Sequence, residues 1–268
     1  MGLAFNLVSM DMKGKVNIGT SGFRIPRAEY TRLLSCVEIQ HTFYQPPQIL
    51  TLERWRQETP PEFEFTLKAW QLITHEAKSP TYKRLKKQLS EMEKGEVGYF
   101  KPSALVREAW EVTLASAKAL KAKTILFQCP ASFKQTRENI ANLEKFFTSI
   151  KHGRFNFCWE PRGDWDNEVV KRLCKNLNLW HVVDPFVRKS VTPSKCYFRL
   201  HGRKGWKYKY EEGELTELAM MLPENKNSYI FFNNIHMTED ALRFRGIIKG
   251  NGVSASARSN NSFNPTAR

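Results

Sequence analysis

Eight short apolar runs punctuate this chain, and that pattern limits the fold more than any other feature. They fall at residues 16–18, 36–39, 63–67, 124–127, 155–159, 180–183, 197–200 and 229–232. Runs of this length suit buried strands rather than core helices. Segments of helical period lie between them, at 50–58, 103–120, 136–150, 166–177, 215–222 and 238–249, with Ser103 placed to cap the longest. Strands alternating with helices predict parallel βαβ units. Eight such units in one stretch predict a single α/β domain, a (β/α)8 TIM-like barrel. A doubly wound open sheet is the competing architecture, and it usually needs fewer strands.

The pattern also sets the boundaries. The barrel is expected over residues 16–250, after an N-terminal extension at 1–15. Residues 251–268 are mostly Ser, Asn and Ala, cannot build a core, and are expected to form a disordered tail. The connection from the third run to the fourth is long enough for an inserted helix at 80–94. No apolar stretch approaches the roughly 18 residues of a membrane span, so no membrane is expected as a partner. Five cysteines without a CxxC spacing read as reduced thiols of a cytoplasmic protein. A monomer is expected.

Side-chain parity along each run is informative, because successive strand residues face opposite sides. Val37 and Ile39 alternate with Glu38 and Gln40; Phe65 and Leu67 with Thr66 and Lys68; Phe157 and Trp159 with Cys158 and Glu160; Phe198 and Leu200 with Arg199 and His201. The large apolar set should face the helices. The lumen is then expected to hold Asn17, Glu38, Gln40, Lys68, Gln128, Glu160, Asp184, Arg199, His201 and Asn233. Most of these end their strands, where barrel enzymes carry their sites. Burying so many polar groups is costly unless they pair.

The net charge of +15 is concentrated. Residues 68–87 hold Lys68, Lys78, Lys83, Arg84, Lys86 and Lys87 against Glu76, and residues 199–209 hold Arg199, Arg203, Lys204, Lys207 and Lys209 with no acid. The second segment interleaves its cations with Trp206, Tyr208 and Tyr210. Cations address phosphates and aromatic faces stack on bases, so a basic collar around a polar lumen is expected.

The strand-end motifs resemble those of the YecE-like family, catalogued as domain of unknown function 72. They are GTSGF (residues 19–23), VEIQHTFYQPP (37–47), FEFTLKA with ITH (63–69 and 73–75), FQCPASF (127–133), WEPRGDW (159–165), YFRLHGR (197–203) and FFNN (231–234). Phe23, Gln40, Cys129 and the residues near Pro161 and Arg162 depart from the family's usual pattern. The resemblance implies a TIM-like barrel. It implies no single substrate, although it carries a link, through archaeal relatives, to removal of damaged bases from DNA.

Three functional readings follow. The first is an enzyme acting on nucleic acid, with DNA as partner, excising a damaged base as a DNA glycosylase does. Glu38, Glu160 and Asp184 would share acid and base roles with His201, and Lys68 could form a Schiff base with an opened sugar. Salt bridging of Lys68 to Glu38 is the structural alternative for that lysine. Arg162, Arg199, Arg203, Lys204, Trp206, Lys207, Tyr208, Lys83 and Arg84 would hold the nucleic acid, with the segment 81–93 along its backbone. Gln40, Tyr44, His75, Gln128 and Asn233 would line the pocket. No cofactor is required. The second reading is a barrel hydrolase, isomerase or lyase for a small sugar or sugar phosphate, in which a divalent metal could take Glu38, Glu160, Asp184 and His201 as ligands. The third is a nucleic-acid-binding protein without catalysis. His41, His152, His181 and His236 read as packing or surface residues.

Overall fold

The computed structural model describes residues 14–150 and 153–250; the expected tail, and the expected extension apart from its last two residues, lie outside them. Eight parallel strands form one sheet: β1 (Val16–Ser21), β2 (Cys36–Ile39), β3 (Glu64–Lys68), β4 (Thr124–Gln128), β5 (Asn156–Glu160), β6 (Trp180–His181), β7 (Cys196–Leu200) and β8 (Ser228–Phe232). Their order is β6-β5-β4-β3-β2-β1-β8-β7. The two ends of that order meet through a bridge between Val183 and Phe198, so the barrel is nearly closed. The expected barrel is present. Its sixth strand is two residues rather than four; beyond His181, Val182 N still donates to Trp159 O at 2.9 Å, and Val183 then turns to the bridge with Phe198.

Helices cover the outer face. Ala104–Ala119 begins where expected, and Ser103 Oγ accepts from Val106 N at 3.1 Å. Val106, Ala109, Trp110, Thr113, Ser116 and Ala117 form its buried stripe at helical spacing. Ile49–Gln57, Arg137–Ser149, Asn167–Asn176, Glu212–Met220 and Met237–Gly250 fall close to their expected positions. Arg27–Leu33 has no apolar periodicity to announce it, since Tyr30 alone is buried. Single-turn helices His41–Tyr44 and Gln71–Thr74 follow β2 and β3; the first carries cavity residues, and the second leads into His75, which lines the cavity.

The expected helix at 80–94 breaks into two pieces. A 3-10 turn, Pro80–Arg84, ends at extended Leu85, and a new helix, Glu91–Glu96, starts at Ser90. Local chemistry explains the break. Ser90 and Glu93 form a reciprocal capping box that restarts the helix. Tyr82 is drawn down to donate to the His75 carbonyl at 2.8 Å, and Lys86 N donates to Gln45 Oε1 at 3.0 Å.

The core has two layers. Between sheet and helices lies an aromatic cluster that includes Trp110, Phe127, Phe146, Phe147 and Phe157. Inside the barrel, Cys36, Leu126, Cys158, Val182, Tyr197, Tyr229 and Phe231 form an apolar plug. The mouth network therefore lies above that plug, and Glu64, which accepts from Tyr229 Oη at 2.6 Å, lies at its other end. Six of the seven plug residues lie two positions before a mouth residue of the same parity: Cys36 before Glu38, Leu126 before Gln128, Cys158 before Glu160, Val182 before Asp184, Tyr197 before Arg199 and Phe231 before Asn233. Asn17, expected with the polar set, is buried near the opposite end of the barrel on β1.

Candidate active site

Arg199 organises the barrel mouth from below. It is 1% exposed, and every face of its guanidinium is occupied. Nε and Nη2 donate to Glu38, with Nη2 to Oε1 at 2.8 Å, while Nη1 donates to Glu160 Oε2 at 2.6 Å and to Gln128 Oε1 at 3.0 Å. Glu38 also accepts from Tyr197 Oη at 2.6 Å, from Ser21 Oγ at 3.1 Å and from Gln40 Nε2. Arg162 closes the upper side, its Nε donating to Glu160 Oε1 at 2.7 Å. Two guanidiniums thus balance two carboxylates, which is the condition for burying them. Burial works against ionisation of Glu160, but Arg199 and then Arg162 outweigh it and hold this carboxyl well below its usual range. Glu160 lines the cavity above; Glu38 lies under the floor, screened by Arg199.

That cavity encloses about 1110 Å³ and is reached through the C-terminal ends of the strands. Gln40, Tyr44, Lys68, His75, Gln128, Asp184, His201 and Asn233, all expected in the pocket or the chemistry, line it. Lys68 is 5% exposed and meets the Phe43 ring, its Nζ 3.4 Å from the centroid. The salt bridge to Glu38 expected from sequence is absent, because Arg199 occupies that carboxylate. Burial, reinforced by the neighbouring Arg199 charge, lowers the Lys68 pKa well below the ordinary lysine value. His75 beside it is pushed down to about 3 by burial and the Lys68 charge, so it is neutral at physiological pH. Asp184 accepts from the backbone N–H groups of Phe186 and His201, at 3.1 and 3.0 Å, and so ties the loop after β6 to β7. His201 Nε2 lies 2.8 Å from Arg162 Nη2, and its Nδ1 lies 3.1 Å from the Asn233 amide.

The residues expected to bind nucleic acid divide. Arg162, Arg199, Arg84 and Trp206 line the cavity; Lys83, Arg203, Lys204, Lys207 and Tyr208 do not. Arg84 stacks on Tyr44, 4.3 Å from its centroid. Arg203 pairs with Glu214 and Glu217, and Tyr208 donates to Glu214 at 2.7 Å. Lys87 and Lys209 pair with Glu93 and Glu239. The basic collar is correspondingly thinner than expected: Lys68 and Arg199 belong to the interior, and acids from elsewhere in the chain meet much of the remainder. Trp206 stands 61% exposed on the rim.

Arg24, His41, His181 and Arg188 also line the cavity and were not singled out by the sequence. His181 lies on the outward parity of β6, beside Trp159 in register, where parity marks a packing residue. It nonetheless lies among the cavity-lining residues, bonded to residues 190–192 of the following loop. Among the described residues, no group of three or more His, Cys, Asp or Glu side chains is arranged to hold a metal ion. The four-ligand set envisaged from sequence is dispersed: guanidiniums hold both glutamates, and backbone amides hold Asp184.

The profile of the family described as protein of unknown function DUF72 matches residues 24–260. The chain belongs to the DUF72 family. A DUF72 protein from Enterococcus faecalis is 24% identical, with a TM-score of 0.64 over 88% of this chain and 98% of that one. A DUF72 protein from Thermotoga maritima is 23% identical, with a TM-score of 0.62 over 87% and 98%. A D-psicose 3-epimerase shares the fold at 12% identity and a TM-score of 0.51, over 82% of this chain and 90% of that one. No curated protein matches the chain. The DUF72 barrel thus has the general fold of catalytic TIM barrels, with its polar network at the end where such enzymes carry their sites.

Proposed function

We propose that this DUF72 protein is a TIM-barrel enzyme acting on a small sugar with a reactive carbonyl, of isomerase or lyase type, with Lys68 as its covalent nucleophile. The observation that carries the reading is Lys68 itself: an amine on the cavity wall, buried, with no carboxylate in salt-bridge distance among the described residues. A lysine in such surroundings keeps a population of neutral amine, the nucleophilic form. Its nitrogen lone pair adds to the sugar carbonyl carbon as the C–O π bond breaks, and the carbonyl oxygen takes up a proton from solvent water to give an N-protonated carbinolamine. Loss of water then leaves a protonated imine, an electron sink for breaking a bond at the neighbouring carbon. Glu160 is held ionised and suits a base or a partner for that positive charge rather than a proton donor. This favours carbonyl chemistry over protonation of a leaving base.

The test is borohydride trapping. The protein is incubated with a panel of aldoses, ketoses and their phosphates, reduced, digested and weighed. The expected result is a sugar-derived mass increase on the peptide containing Lys68, absent in Lys68→Met. No adduct with any member of the panel overturns the reading.

A second reading, nucleic acid as the macromolecular substrate, is favoured by one observation. Trp206 presents an exposed ring on the cavity rim with Lys207 Nζ 5.5 Å from its centroid, a pairing able to stack a base beside a phosphate. An oligonucleotide with an abasic site, whose opened sugar carries an aldehyde, belongs in the same trapping panel. Absence of oligonucleotide binding at ~50 mM salt removes this reading.

A further inference from the structure

His181 and Arg188 face the cavity from β6 and from the loop that follows it, and neither is used by the chemistry above. His181 is fully buried and clamped by the segment that folds over it. Its backbone N donates to Thr192 Oγ1 at 2.9 Å, its carbonyl accepts from Ser190 Oγ at 3.2 Å, and its Nδ1 accepts from Val191 N at 3.1 Å. A backbone amide can only donate, so Nδ1 is the acceptor nitrogen and the imidazole proton sits on Nε2. That Nε2–H is buried and has no acceptor among the described residues. Arg188 Nη1 is likewise buried and without an acceptor, and Arg188 forms no ion pair among the described residues. The two groups are close enough for the Arg188 charge to depress the His181 pKa, after burial, to about 4.

Two buried donors without an acceptor, in residues that line one cavity, are costly in a folded protein and point to an absent partner. A water could accept from one or both, but would leave the guanidinium charge unbalanced. An anion answers both deficits. The cavity as a whole favours one: once Arg162 and Arg199 are set against Glu160 and Glu38, Arg24, Arg84 and Arg188 line it against Asp184.

We propose that His181 Nε2–H and Arg188 form an anion subsite that receives a phosphoryl group of the substrate. Guanidinium forks and N–H donors suit phosphoryl oxygens, and two groups approaching from different segments suit a tetrahedral anion better than a planar carboxylate. The inference rests on the reading of the cavity as a sugar site and narrows its substrate class to phosphorylated sugars.

The experiment titrates the full chain with inorganic phosphate, and separately with acetate, while following the His181 side-chain nitrogens in a long-range 1H–15N spectrum. Expected are an unprotonated Nδ1 and a protonated Nε2 in the free protein, and saturable movement of the Nε2 signal by phosphate in the millimolar range. Acetate should bind more weakly, and Arg188→Gln should weaken phosphate roughly tenfold or more. Arg188 lies on a loop, half-buried and without an ion pair, so the variant keeps the fold. Lys68→Met should lose imine trapping and keep phosphate binding, so failure of the nucleophile and failure of the subsite remain distinguishable. A proton on Nδ1, an unchanged phosphate affinity in Arg188→Gln, acetate binding as tightly as phosphate, or no phosphate binding by the wild type overturns the subsite.

Discussion

Lys68 on β3 and Arg199 on β7 share one mouth from strands that are not neighbours, and their environments do opposite things to them. Arg199 is surrounded by carboxylates, and its charge is the reason Glu38 and Glu160 can be buried. Lys68 receives only an aromatic face, so its charge is expensive where it stands. Substitution should separate the two roles. Arg199→Met leaves two buried carboxylates short of a partner and is expected to cost about 3–5 kcal/mol, measured as a fall in urea unfolding free energy at pH 7. Lys68→Met removes a depressed amine. The unfolded chain holds the Lys68 proton up to about its ordinary pKa, and the folded chain releases it earlier, so folding at neutral pH carries a penalty of ~1.4 kcal/mol per unit of depression. The methionine variant should therefore be at least as stable as wild type while losing imine trapping. A Lys68→Met protein destabilised by several kcal/mol would mean that the ammonium is well satisfied, and the nucleophile reading would not stand. Parity in the sequence placed both residues inward correctly, because a strand's side-chain period is fixed. Which of the two carboxylate neighbours each cation would meet was hidden, since that depends on register between strands distant in sequence.

At the level of elements, the barrel is unevenly tied. β1 pairs with β8 from Val16 to Thr20, whereas β6 meets β7 only through the Val183–Phe198 bridge. The hydrogen bonds at that seam are Arg199 N to Val183 O at 2.9 Å and a longer one from Val183 N to Tyr197 O at 3.4 Å. Local stability follows such pairing, and binding loops tend to come from the weaker end of the range. The seam also borders Asp184 and Arg188 on the cavity wall. Amide hydrogen exchange should therefore show Val183 and its loop exchanging ahead of β1 and β8, with inorganic phosphate slowing exchange around residues 181–192. Uniform protection around the barrel would contradict this. Strand and helix positions were largely legible because apolar period and caps such as Ser103 are local signals. The insertion was less so: the Ser90–Glu93 capping box stood in the sequence, but Tyr82 and Lys86 leave helical geometry to bond His75 and Gln45, partners supplied by other segments. His181 was missed for the same reason, because a fold-back of residues 190–192 decides its surroundings.

For the whole molecule, charge is sorted by depth rather than spread as a collar, and this has a consequence for pH. The interior combines a balanced ionic network with two buried neutral imidazoles, His75 at about 3 and His181 at about 4, each lowered first by burial and then by a nearby cation. Unfolding returns both to an ordinary value near 6.5. Between roughly pH 4 and 6.5 the unfolded chain thus binds more protons than the folded one, and stability must rise with pH across that window. Two such groups set a slope approaching ~2.7 kcal/mol per pH unit just above pH 5, where the unfolded imidazoles are nearly fully protonated. Glu160 does not oppose this, since its folded pKa lies below the window. Asp184, raised by burial, opposes it slightly, because its folded form holds a proton to higher pH than its unfolded form. Urea unfolding free energies at pH 7, 6 and 5 should fall steeply over the last step, and His75→Gln should reduce that fall by about half. A profile that stays flat to pH 5 would mean that the imidazoles are protonated in the folded barrel. It would also remove the donor–acceptor assignment at His181, because a protonated ring could not accept from Val191 N.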